Sequence, residues 1–194
     1  MVKKRLDEVM PECYIDTNLV ETLLKQCNLN RGVYEEFSVQ HAKGIGHVTA
    51  NMQHAKAMKD GFALGIVDDD HQKPNYVNLF REIAHSTHLT LRKHSKEKHY
   101  LIVVSKAMET LILENAKTAG IDVSKYHFPQ KTSDFKGKTK DTDSRNNPEY
   151  KNLFKKMSGG GEINLLMNLL DKFVNDRENL SDDALKQMFV DAGY

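Results

Sequence analysis

The run Phe62-Ala63-Leu64-Gly65-Ile66-Val67 constrains the chain most. It is nearly continuous in apolar residues and of strand length. Such a run is expected of a central strand covered on both faces, as in sheets flanked by helices. It stops abruptly at Asp68, Asp69 and Asp70. In open parallel sheets, ligands bind outside the carboxyl ends of the strands. Three carboxyls at such an end therefore mark the first place to look for chemistry.

The flanking pattern extends this reading. Glu12–Ile15 is a short segment ending at Asp16, taken as the first strand. Leu19, Val20, Leu23 and Leu24 then recur at helical spacing. A strand is expected over 33–39. A helix follows the His41-Ala42-Lys43-Gly44-Ile45-Gly46 loop, with Val48, Met52, Ala55 and Met58 on its apolar face. Pro74, Val77, Phe80, Ile83 and Ala84 predict a helix after the aspartates. Leu89–Leu91 and Tyr100–Val104 predict two strands separated by the polar segment Arg92–His99. Ser105 and Gly120 bracket a further helix. Strands alternating with helices predict an α/β domain with a mainly parallel central sheet flanked by helices, followed by a helical C-terminal extension.

Composition adds limits. The 194 residues carry 28 Lys plus Arg against 27 Asp plus Glu, so bulk charge argues neither for nor against nucleic acid. Residues 131–156 are the exception, with eight basic and four acidic side chains, and read as a mobile basic loop followed by a short helix. Ser158-Gly159-Gly160-Gly161 reads as a flexible joint. Cys13 and Cys27 lack metal spacing and make no disulfide framework. With no apolar leader at the N-terminus, the expected location is the cytoplasm, with no membrane partner.

Asp68 and Asp70 can point to one side of an extended turn. Two adjacent carboxylates repel, and a divalent cation with a taste for oxygen, Mg²⁺ or Mn²⁺, relieves that repulsion. Taken alone, the three acids also serve simply to end a strand. Asp16, at the end of the presumed first strand, converges on the same edge if the two strands are neighbours; alone, it reads as a helix N-cap. Glu109 follows the strand 100–104 and is either a third acid or an exposed residue favoured by the helix dipole. His41, Lys43, Gly44 and Gly46 precede a helix whose amides can hold a phosphate, but Gly-Ile-Gly lacks any diagnostic spacing. Lys93, Lys98 and Lys138 belong to basic stretches that could bind phosphates or remain solvated.

A strand ending in an acid, a β-α step, then Gly65-Ile66-Val67-Asp68-Asp69-Asp70 resembles the Toprim domain of topoisomerases, primases and nucleases of the overcoming-lysogenization-defect type. The resemblance covers residues 12–115. It implies a Toprim-like α/β domain over 1–125, a basic loop and short helix over 126–161, and a helical extension over 162–194. It implies Mg²⁺ or Mn²⁺ on Asp68 and Asp70, with Asp16 at the position of the family's acid–base Glu. Glu109 would help a second metal, and Lys93, Lys98 and Lys138 would steady phosphates. The expected activity is metal-dependent cleavage of nucleic-acid phosphodiesters. The family's Glu-Gly pair is replaced by Asp16-Thr17. The alternative is therefore a catalytically inactive Toprim-like module that binds or regulates through a protein partner or homodimer. A nucleotide or phosphate-ester enzyme on another doubly wound sheet, or a receiver domain using Lys106, ranks below these.

Overall fold

The computed structural model describes residues 3–55, 60–69, 73–134 and 141–194. The central sheet has five strands in the order β2-β4-β7-β6-β5. These are β2 Val9–Pro11, β4 Ala63–Asp68, β5 Phe80–His85, β6 Leu89–His94 and β7 His99–Val104. Strands β2, β4 and β7 run parallel. Strand β6 is antiparallel to both β7 and β5. The sheet is therefore mixed, which corrects the expectation of a mainly parallel one. The reason is connection length. Only 95–98 separate β6 from β7, and such a link permits a hairpin but no crossover. A second sheet pairs β1 (Lys4–Leu6) with β3 (Phe37–Val39).

The helix expected after Pro74 is the other correction. A 3-10 turn over Asn75–Leu79 leads directly into β5. Residues three apart lie on one face of a helix but on opposite faces of a strand. Phe80 enters one core layer and Ile83 the other, so both are buried in the strand.

Alternation along β4 and β7 divides the core. Leu64, Ile66, Tyr100, Ile102 and Val104 face helices α1 (Tyr14–Asn30) and α3 (Met108–Thr118) and the C-terminal helices. Ala63, Val67, Leu101 and Val103 face α2 (Ile45–Ala55). Gly65 points to the α2 side. A Cβ there would lie 2.6 Å from Leu101 Cδ2 and 2.7 Å from Val48 Cγ1, which explains a glycine in a central strand.

The C-terminal third is helical, as expected: α4 Pro148–Met157, α5 Gly161–Asn175 and α6 Asp182–Asp191. Ser181 Oγ accepts from Ala184 N at the start of α6. Leu166, Leu169, Leu170 and Phe173 of α5 share one apolar cluster with Leu19, Leu23, Ile102 and Leu111. The extension is thus built into the core over the sheet. The last glycine of the run makes a close contact. Gly161 (φ +61°) brings backbone against Asn115, whose Oδ1 accepts from Ile163 N at 3.2 Å.

Candidate carboxylate site

The β2–α1 junction, the end of β4 and the β7–α3 junction meet at the carboxyl edge of the sheet. Strand β2 ends at Pro11, a residue suited to a strand end because it has no N–H to offer a ladder. Glu12 follows. Its N–H donates to Ile66 O at 3.0 Å, and its Oε2 accepts from Asp68 N at 3.0 Å. Glu12 therefore stands beside the end of β4, locked to it through main chain and side chain. The first strand lies at Val9–Pro11 rather than 12–15, so Glu12, not Asp16, occupies the strand-end acid position. The signal was present in Val9-Met10-Pro11-Glu12, an apolar triplet ended by an acid. It was obscured because Tyr14-Ile15 extends the apolar run, although those residues already belong to α1.

Asp16 is in the first turn of α1. Its Oδ2 accepts from Cys13 N at 3.1 Å, so it does cap its own helix. Its other oxygen, Oδ1, is buried with no hydrogen-bond partner, in a residue only 1% exposed. Such an oxygen is costly to leave unmade. Asp68 ends β4, and its Oδ1 accepts from Met108 N at 3.0 Å, which caps α3. Glu109, the next residue of α3, is buried. Residues Asp16 and Asp68 thus sit at the same edge as Glu12 and Glu109.

Their electrostatics register that proximity. Burial pushes the Asp68 carboxyl up to about 9, reinforced by the charges of Asp16, Glu12 and Glu109. Burial likewise raises Asp16 to about 7; its hydrogen bonds from Cys13 oppose the rise, and Glu109 and Glu12 add to it. Desolvation and like charge act together, the usual signature of a site that takes up a proton or a cation. Burial first, and Asp16 second, push the Cys13 thiol far up, which disfavours the thiolate. Both cysteines are free.

Asp69 turns away and pairs with Lys73. Asp70 lies outside the described residues, as does Lys138. Among the described residues, no group of three His, Cys, Asp or Glu side chains is drawn together tightly enough to hold an ion. The four acids at the edge offer carboxylate oxygens, the donors a hard cation prefers, and one of those oxygens is orphaned.

The structure does not bring Lys93 and Lys98 to this edge. Lys93 pairs with Tyr100 across β6–β7, and the Lys98 carbonyl accepts from Ala63 N, at the opposite end of β4 from Asp68. Five residue steps along a strand separate the two ends, about 17 Å. Lys93 is also engaged, donating to Asp182 Oδ1 at 2.9 Å. It fastens α6 to the sheet.

The loop before α2 does reach the edge. Ala42 N donates to Pro11 O and Gly44 N to Glu12 O, each at 3.1 Å. His41 stacks on Tyr14 at 3.9 Å between ring centroids, 19° between planes. Helices α1, α2 and α3 therefore all begin beside Glu12 and Asp68. Their N-terminal dipole ends favour anions at this edge. No helix among the described residues is long and apolar enough to cross a membrane. No family model, curated protein or solved structure matches the chain.

Proposed function

We propose that the carboxyl edge of β2, β4 and β7 is a divalent-cation site for hydrolysis of nucleic-acid phosphodiesters, in a Toprim-like domain. The observation that carries this reading is the gathering of Glu12, Asp16, Asp68 and Glu109 from the β2–α1 junction, the end of β4 and the β7–α3 junction, with Asp16 Oδ1 buried and unpartnered. Glu12, Asp16 and Asp68 would hold Mg²⁺ or Mn²⁺, with Glu109 beside them. The chemistry a cation held by these residues would supply is polarisation of a phosphoryl oxygen and activation of water. Glu12, anchored by the Asp68 amide, would be the base that receives a proton from an attacking water. The three helix N-termini favour the anionic substrate, and the like charge of the carboxylates would oppose it until compensated.

A second reading is a binding module on the same scaffold. It is favoured by the spread of the described carboxylates and by the placement of Lys93 and Lys98 away from them. One experiment separates the two. Single- and double-stranded DNA and RNA oligonucleotides are incubated with Mg²⁺ or Mn²⁺, using wild type, Glu12→Gln and Asp68→Asn. Cleavage that needs the metal and falls at least about a hundredfold in both variants supports the enzyme. Cleavage that survives in chelator, or in both variants, contradicts it. Oligonucleotide binding with no cleavage in any metal favours the module.

A further inference from the structure

A second cluster of charge lies where the middle of α1 meets α4 and the β1–β3 pair. Asn18 Nδ2 donates to Asn147 O at 3.3 Å and fastens the start of α4 to α1. Four residues beyond that contact in each helix, Thr22 and Lys151 line a cavity of about 80 Å³. Lys4 N donates to Glu36 O at 2.9 Å, which brings Lys3 and Glu36 to the same cavity. Phe37 adds apolar lining. Thr22 stands six residues beyond Asp16, roughly 9 Å along the helix, so the cavity is separate from the carboxylate edge.

The charges of the lining do not balance. It holds two acids, Glu21 and Glu36, against four bases, Lys3, Lys25, Lys151 and Lys155. The carboxylate oxygens are already engaged. Glu21 Oε1 accepts from Val39 N at 3.2 Å and from Arg145 Nη2 at 3.3 Å, and its Oε2 lies 3.9 Å from Lys3 Nζ. Glu36 Oε1 pairs with Lys25, and its Oε2 lies 3.9 Å from Lys3 Nζ. Lys151 and Lys155 have no ion-pair partner among the described residues. They stand four apart on α4, and like charges at that spacing destabilise a helix. Burial, and then the charge of Lys3, hold the Lys151 ammonium below the usual lysine range. Glu21 and Glu36 oppose that shift, and Lys25 adds to it. A doubly charged anion among the four lysines removes the imbalance.

We propose that this cavity is an anion site for a phosphate group, free or as the terminal phosphoryl of a larger ligand, held by Lys151 and Lys155 together with Lys3 and Lys25. A phosphomonoester carries nearly two negative charges at neutral pH, which matches the surplus in the lining. Lysines bind such a group as point charges. A water molecule takes about 30 Å³ of liquid, so the cavity admits a group of a few heavy atoms and no nucleoside. The site stands whether or not the carboxylate edge holds a cation.

The test titrates inorganic phosphate, AMP and adenosine into wild type, Lys151→Met, Lys155→Met and Lys151→Arg, in chelator and at constant ionic strength made up with chloride. Calorimetry gives the affinity and thermal melting the linked stabilisation. The wild type is expected to bind phosphate saturably and to melt higher as phosphate is added. Each Met variant should bind at least about tenfold more weakly, while the Arg variant, which keeps the charge, stays within about threefold. Lys155 is exposed, so Lys155→Met carries the comparison should Lys151→Met fail to fold. AMP that binds more tightly than phosphate, with adenosine silent, upholds the site and identifies a terminal phosphoryl group as its occupant. Phosphate that binds as tightly as AMP or more so upholds it with the free anion as occupant. A wild type that binds neither phosphate nor AMP overturns the proposal. Adenosine that binds as tightly as AMP, or phosphate binding that persists undiminished in both Met variants, overturns it equally.

Discussion

Asp68→Asn should make the metal-free protein more stable at neutral pH, the reverse of what loss of a buried hydrogen-bonding group usually does. Asp68 is raised from 3.8 to about 9 and Asp16 from 3.8 to about 7. A carboxyl raised in the folded state keeps a proton that the unfolded chain has released. The stability is therefore complete below about pH 4 and declines as pH rises through about 7 for Asp16 and about 9 for Asp68. At pH 7 the unfolded Asp68 is ionised by about three pH units, which corresponds to roughly 4 kcal/mol at 1.4 kcal/mol per unit. The Asn amide oxygen can still accept from Met108 N, so the cap on α3 survives the change. The expected gain is on the order of 2–4 kcal/mol at pH 7 in chelator, shrinking towards zero near pH 4. Urea denaturation of wild type and variant from pH 4 to 9 measures it. Added Mg²⁺ should then reverse the order, since only the wild type gains from the cation. A wild type whose stability is flat from pH 4 to 9, or a variant less stable than it at pH 7, would refute mutual crowding of these acids.

Other substitutions probe the frame that holds the edge. Gly65→Ala drives a methyl against Leu101 and Val48 and should destabilise by about 1–3 kcal/mol in denaturant melts. Glu162→Ala removes the acceptor of His88 N (2.7 Å) and the partner of His88 Nδ1 (2.5 Å) and Ser86 Oγ, at a loss of about 3 kcal/mol by the same melts. Lys93→Met breaks the link to Asp182 but should leave oligonucleotide binding within about twofold of wild type, because Lys93 lies at the far end of the sheet.

The strand that ends at Asp68 could be read from its residues because a strand covered on both faces is apolar throughout, and Phe62–Val67 offers no competing period. Helices α1, α2 and α3 were readable from their apolar repeats, but not their starts: α1 begins at Tyr14, inside the presumed first strand, and α3 follows Ala107 rather than a Ser105 cap. Strand β5 was not. Pro74, Val77, Phe80 and Ile83 satisfy a helical spacing and a two-faced strand equally, and only the short hairpins on either side decide between them. The site was half visible. Asp16, Asp68 and Glu109 lie at one edge, Asp16 from the first turn of α1 rather than from a strand end. Glu12 was missed because Val9–Pro11 is only three residues long, and the apolar start of α1 extends the segment past the acid. Lys93 and Lys98 were grouped with the acids because they flank the same strands. A strand's direction, which places its two ends about 17 Å apart, is a property of the sheet and not of the segment.

Calorimetric titration of Mn²⁺ into wild type, Glu12→Gln and Asp68→Asn tests the cation site most directly. The expected result is a saturable event in the wild type, with proton release as Asp16 and Asp68 give up the protons they retain, and its loss in both variants while their melting remains cooperative. A wild type that takes up no Mn²⁺ at pH 8, or one whose binding persists in both variants, would contradict a metal site built on Glu12 and Asp68.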